Sequence, residues 1–173
     1  MADVERSNDG RWVIVNGRRW RASDPAIPAP LHTELVNELM SARQAVGRAV
    51  RAGDDEATTR ARARVHDAKV ALGERGQPWW ESPDPAARDA RIEATVFALL
   101  AHRSGRSICP SDVARVAGGQ GWRAQMDDVR RVAFDLTNRG RTSITQKGEP
   151  VDTQVGLRGP IRITSADPEE RLR

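Results

Sequence analysis

Four side chains in this sequence, His32, His66, His102 and Cys109, have the chemistry to hold a metal or to act as base and nucleophile, and their spacing decides what they can do. No two stand at i and i+4 on one helix or as a Cys-x-x-Cys pair, the spacings a metal site uses. The sequence therefore predicts no metal site and no cofactor. His66 is followed by Asp67, but adjacent helical residues point in different directions and do not face each other. Cys109 precedes a predicted helix start, where a thiol pKa can fall; with no histidine near it in sequence, it is expected as a buried structural thiol. The run Gly118-Gly119-Gln120-Gly121 precedes a helix as a phosphate-binding loop does, yet no strand leads into it and no Lys-Ser/Thr follows. Without an assembled acid, base or nucleophile, the expectation is a protein that is not an enzyme.

The same region has a stronger structural reading. Ser107 to Arg115, the glycine run, and Trp122 to Gly140 read as short helix, turn and longer helix, the outline of a helix-turn-helix. If the third helix, Trp122 to about Asn138, reads nucleic acid, its outward residues Arg123, Gln125 and Arg130 are candidates for base or phosphate contact, with Arg141, Lys147, Arg158 and Arg162 on the following wing. Asp127 and Asp128 on the same face oppose a phosphate backbone. Arg123 with Asp127, Asp127 with Arg131, and Arg131 with Asp135 also fall at i and i+4, the spacing of a solvated, charge-laced face. Two uses stay open: nucleic-acid binding, and an adaptor for a protein partner with Trp79 and Trp80 as its apolar anchor.

Composition narrows the setting. The 173 residues carry a formal charge of +4, and Arg outnumbers Lys 26 to 2, an excess that GC-rich codon usage can itself produce. Residues 1 to 81 hold 13 basic and 12 acidic side chains and residues 82 to 173 hold 15 and 12, so neither half is strongly basic. No apolar run approaches the roughly 18 residues of a membrane span, and the first residues lack the apolar core of a secretory signal. A protein without membrane contact, in a reducing cytoplasm, is expected; a lone cysteine forbids an internal disulfide.

In the N-terminal half, Arg11 to Val15 and Arg18 to Arg21 flank Asn16-Gly17, the dipeptide most suited to a type I′ hairpin turn. Trp12 and Trp20 are expected in the core. Pro30 suits a first helical position, and from it Leu31, Leu35, Leu39, Ala42, Val46 and Val50 form one apolar stripe. Gly53-Asp54-Asp55 breaks that helix and opens another, with the stripe Thr58, Ala61, Val65, Ala68 and Leu72. An αα-hairpin with the β-ribbon laid against it follows. The segments Asp9 to Arg21, Leu35 to Met40 and Val65 to Gly76, with Pro78-Trp79-Trp80, resemble a small bacterial family often labelled a biopolymer transporter of the Tol type. The envelope transport that this label implies is set aside for want of an anchor or export signal.

Glu81-Ser82-Pro83-Asp84-Pro85 reads as a linker. Beyond it, a helix with Ile92, Val96, Leu99 and Leu100 on one side, a second opened by Pro110 and the third with Met126, Val129, Ala133 and Leu136 inward are followed by two alternating strands, Arg141 to Thr145 and Ile161 to Thr164. Ile108 to Ser111, Val113 to Arg115, Trp122-Arg123, Val129-Arg130 and Gly159 to Arg162 resemble the pattern of a bacterial domain family of unknown function, over about residues 91 to 164. That resemblance implies a winged-helix fold and brings no catalytic residue. The expected architecture is thus mainly α with small β-ribbons: a β-hairpin and αα-hairpin domain at 9–81, a winged helix-turn-helix domain at 84–164 with its own core, and flexible tails at 1–8 and 165–173.

Overall fold

The computed structural model describes residues 5–153 and 159–166. Its first sheet is antiparallel, in the order β1 (Glu5–Arg6), β2 (Trp12–Val15), β3 (Arg18–Arg21). Asn16 and Gly17 both take positive φ, 50° and 73°, and let β3 return on β2 with Val15 opposite Arg18. The register pairs Trp12 with Arg21 and Val13 with Trp20, which puts Trp12 and Trp20 on opposite faces. Trp20 is 48% exposed, so the expectation of a core position fails for it. The expected N-terminal tail is shorter too: Glu5 and Arg6 pair with Ile14 and Val13 as a third strand.

Two long helices follow, α1 (Ala29–Ala52) and α2 (Asp55–Ala71). Gly53 ends α1 in the left-handed conformation, and the Asp54 carboxylate accepts from Ala57 N to cap α2. The α1 stripe is buried at Leu31, Leu35, Leu39 and Ala42, but near its end Ala49 is inward while Val50 is exposed. The 3.6-residue period has rotated the expected stripe off the contact.

α3 (Pro85–His102) is capped by the Asp84 carboxylate accepting from Ala87 N. It packs against α1, α2, α4 (Pro110–Gly118) and α5 (Met126–Asn138). Ile92, Ala94, Thr95, Val96, Ala98, Leu99 and Leu100 are all buried, an arc far wider than one stripe. Consequently one contiguous buried cluster runs from Leu35, Leu39 and Leu72 through Ile92, Val96 and Leu99 to Val113, Val129, Leu136 and Ile163. The separate cores expected for the two halves are therefore a single core, because α3 is apolar on two sides and each half covers one of them.

The second sheet has the order β5 (Glu149–Pro150), β4 (Thr142–Gln146), β6 (Arg162–Ser165), and Ile108 bridges the free edge of β6 at Ile163. Ile108 N donates to Ile163 O and Ile163 N to Ile108 O, at 2.9 and 3.0 Å. Ser165, placed in the expected C-terminal tail, is a buried residue of β6; the rest of that tail from 167 lies outside the described residues.

Arg103, just past the end of α3, ties three helices together. It donates from Nε and Nη2 to both oxygens of Glu34 on α1, and from Nη1 to Asp112 on α4 at 2.8 Å. These bonds hold the Glu34 carboxyl below the usual carboxylate range. Arg103→Met, which keeps the apolar stem, is expected to lower stability by about 2 kcal/mol, the scale of losing hydrogen bonds to partly buried charges. Urea denaturation measures this; a change below about 0.5 kcal/mol would reduce the cluster to an ordinary surface pair.

Candidate functional site

The turn between α4 and α5 differs from the sequence expectation. The third helix does not begin at Trp122: residues Gly119–Gln125 form a 3₁₀ segment and α5 starts at Met126. Gly118 permits this. A Cβ there would stand 2.6 Å from Gln125 Cγ, so the segment folds back closely only over glycine. Gln125, expected as a base-reading side chain, is spent on this packing, and its Oε1 is buried with no hydrogen-bond partner among the described residues.

Trp122 is the centre of the corner so formed. The guanidiniums of Arg115, from α4, and Arg123 each lie 4.6 Å from its ring centroid, the geometry of a cation on an aromatic face. Arg115 keeps a contact with Asp112 at 3.6 Å. Arg123 is exposed and forms no ion pair among the described residues. Sequence reasoning named Arg123 and missed Arg115, whose approach to Trp122 depends on the 3₁₀ turn.

The outward face of α5 is less open than expected. None of the three i, i+4 pairs read from the sequence forms. Arg131 turns instead to Asp89 on α3, at 2.6 Å, and to Asp128, at 3.0 Å, while Arg88 of α3 reaches Asp128 at 3.1 Å. Hydrogen bonds from Arg131, and then from Arg88, hold the Asp128 carboxyl below its ordinary range. Asp135 pairs with Arg139. Asp128 is thus neutralised internally, by a chain of ion pairs that docks α5 on α3, whereas Asp127 stays exposed with no ion pair among the described residues.

Arg130 extends along α5 with its guanidinium 5.8 Å from the Phe134 ring and donates to Gly159 O at 3.3 Å. Nearby, Thr153 Oγ1 donates to Asn138 Oδ1 at 2.7 Å, so the chain after β5 leans on this helix. Lys147 occupies the tight β4–β5 turn, with φ 53°. The remaining expected contacts do not join this set. Arg141 sits over Phe97, at 4.7 Å, beyond the other end of α5. Arg162 is pinned to Ser107, by Nε to Oγ at 3.0 Å and Nη2 to the carbonyl at 3.1 Å. Arg158 lies outside the described residues.

Trp79 and Trp80, expected as an interaction anchor, are half-buried and meet edge to face at 5.1 Å. Trp79 Nε1 donates to Ala22 O at 2.9 Å, and its ring would meet any Cβ on Gly73 at 3.0 Å. The pair therefore fastens the first sheet to the end of α2. From it a cleft of about 770 Å³ opens between the halves, lined by Pro25, Asp67, Arg75 and Arg88 and reaching Gly118 and Gly119 of the corner.

The groups that could do chemistry are dispersed. His66 Nδ1 lies 3.2 Å from Arg75 Nη1, and Ser111 Oγ donates to Cys109 Sγ at 2.9 Å. Asp67 stands apart from His66 and is desolvated beside Glu93 and Glu38, which pushes its carboxyl up to about 7. Among the described residues no group of three or more His, Cys, Asp or Glu side chains is placed to hold a metal ion, and no helix is long and apolar enough to cross a membrane.

Fold and surface together define a mainly helical protein with two small antiparallel sheets and an arginine-flanked tryptophan at the turn between α4 and α5. Residues 89–166 are similar to a family described as "Protein of unknown function (DUF3253)", in keeping with the resemblance read for the C-terminal half. The comparison brings no support for the transporter-like resemblance of residues 9 to 80. No curated protein matches the chain.

Proposed function

We propose that this is a non-enzymatic, cytoplasmic winged-helix protein that binds duplex nucleic acid through the corner Arg115, Trp122 and Arg123, with Arg130 and Lys147 as flanking contacts. Three helices followed by a sheet of order β5-β4-β6, whose outer edge is bridged by Ile108, support the winged-helix reading. One observation carries the functional step: two guanidiniums are stacked on a single indole immediately before the helix that such folds present to the groove. Stacking holds the arginines extended while leaving their N–H groups for phosphate oxygens or a guanine edge. The adaptor reading has less support, because the indole N–H of Trp79 is already used on Ala22.

Fluorescence anisotropy with a labelled DNA duplex tests the proposal. Arg115→Ala with Arg123→Ala is expected to weaken binding at least tenfold at low salt and to reduce the slope of log K against log salt by about 2, one unit per phosphate contact. Absence of binding at low salt, or binding untouched by the double substitution, would overturn it.

A further inference from the structure

Among the described residues, the first sheet carries more cationic charge than its ion pairs offset. Trp12, Ile14, Arg19 and Arg21 share one of its faces by the pairing of β2 with β3. Trp80 closes on that face with its ring 5.7 Å from Trp12. Arg11 and Arg21 lie over Trp80, at 5.1 and 5.6 Å, and Arg19 over Trp12, at 4.6 Å. On the other face Arg18 and Lys69 flank the exposed Trp20 at 5.8 and 5.5 Å. Ion pairs offset only part of this array: Arg11 reaches Asp9 at 3.9 Å and Lys69 reaches Glu74 at 3.8 Å, Glu5 shares the Trp12 face opposite Ile14, Arg21 spends a donor on Gly76 O, and Arg18 and Arg19 form no ion pair among the described residues.

Alternating cations and indoles on a small sheet match a ligand that alternates anions with flat π-systems. Single-stranded nucleic acid is such a ligand: its phosphates meet the guanidiniums and its unstacked bases meet the rings. A duplex hides its base faces, and an acidic peptide offers charge without planar groups. The cleft beside Trp79 and Trp80 adds room for a splayed-out base but not for its phosphate, since its volume of about 770 Å³ lies in the range of small-ligand sites while Asp24, Asp67, Glu81 and Glu93 line it with Arg75 and Arg88. We infer that the ribbon face of Trp12, Arg19 and Arg21, with Arg11 and Trp80, is a binding platform for single-stranded nucleic acid. It shares with the proposed duplex surface only the class of partner.

The test uses the full chain and two probes, a labelled oligothymidylate of about 16 nucleotides and a labelled duplex. The exposed arginines are neutralised together as Arg11→Gln with Arg19→Gln, and the circular dichroism spectrum confirms that the chain stays folded. Oligothymidylate should bind at low salt and quench tryptophan emission. The double substitution should weaken it at least tenfold and reduce its salt slope by about 1.4, or 0.7 per phosphate contact, while duplex affinity changes less than twofold. Oligothymidylate that fails to bind, that binds equally to the substituted chain, or that loses affinity only with Arg115→Ala and Arg123→Ala overturns the platform. Polyglutamate binding as tightly as oligothymidylate would also overturn it, by reducing the surface to charge alone. Loss of duplex binding with oligothymidylate binding intact would defeat the proposed duplex function and leave this inference standing.

Discussion

Truncating Leu99 to alanine is expected to lower stability by about 3 to 5 kcal/mol, a large share of the total for a chain of this size. Leu99 is fully buried on α3, the helix against which α1, α2, α4 and α5 all pack. The surrounding helices are tied by ion pairs and cannot collapse freely into the space, which keeps the cost high. The more telling outcome is the shape of the transition. Four of the five tryptophans, Trp12, Trp20, Trp79 and Trp80, precede the 81–85 connection, so their emission reports the first half, whereas far-ultraviolet circular dichroism reports all five helices. With one core, the two signals should fall together and shift together, by about 10 °C. An emission transition that stays in place while the helical signal moves would restore two independent cores.

Replacement of Asp67 by asparagine is expected to stabilise the protein at alkaline pH and to have almost no effect in acid. The carboxyl is held up at about 7 because burial, with Glu93 and Glu38 beside it, disfavours the charge more than Arg141 favours it. Below about pH 4 both folded and unfolded chains carry the proton. Between that point and about 7 only the folded chain retains it, so stability falls as pH rises, and above about 7 the penalty is complete. Asparagine imitates the protonated form and removes the penalty. A gain of about 1 to 2 kcal/mol is expected at pH 8.5 after screening by the water the carboxyl still meets, shrinking toward zero at pH 4. Chemical denaturation of both proteins at the two pH values measures it; a difference independent of pH would show that the folded chain does not desolvate this carboxyl.

Where the residue type alone dictates geometry, the sequence was a sufficient guide. Asn16-Gly17 specified the hairpin, Pro110 sits in the first turn of α4, and Asp54 caps α2 as a short acidic side chain does, whereas Asp84 and Pro85, expected in the linker, cap and open α3. The shared core was written there too, in a signal of another kind. Ile92 to Ala101 is apolar at eight of ten positions or interrupted only by Glu93 and Thr95, and a helix apolar nearly all round has two neighbours to satisfy. A single stripe accounts for only one side of its buried surface.

The candidate surfaces were legible only in part, because they depend on contacts between distant segments. Arg123 was visible beside Trp122, but Arg115 joins them only through the fold-back over Gly118. Arg131 carried the right charge for Asp127, yet the partner it takes, Asp89, lies 42 residues away on α3. Arg11 and Arg21 acquire their meaning from Trp80, brought up by the connection between the halves.

The bridge between Ile108 and Ile163 bears on the order in which a growing chain can reach its final form. The joint between α3 and α4 is closed on one side by β6, some 55 residues downstream. During synthesis the helices emerge in sequence and can meet their neighbours early, since such contacts are local. The edge at Ile108 must wait, its backbone groups unpaired, until residue 163 has cleared the ribosome. Val113, Val129 and Leu136 share the cluster that Ile163 completes. The nascent chain thus passes through an interval in which its helices are assembled around an open seam.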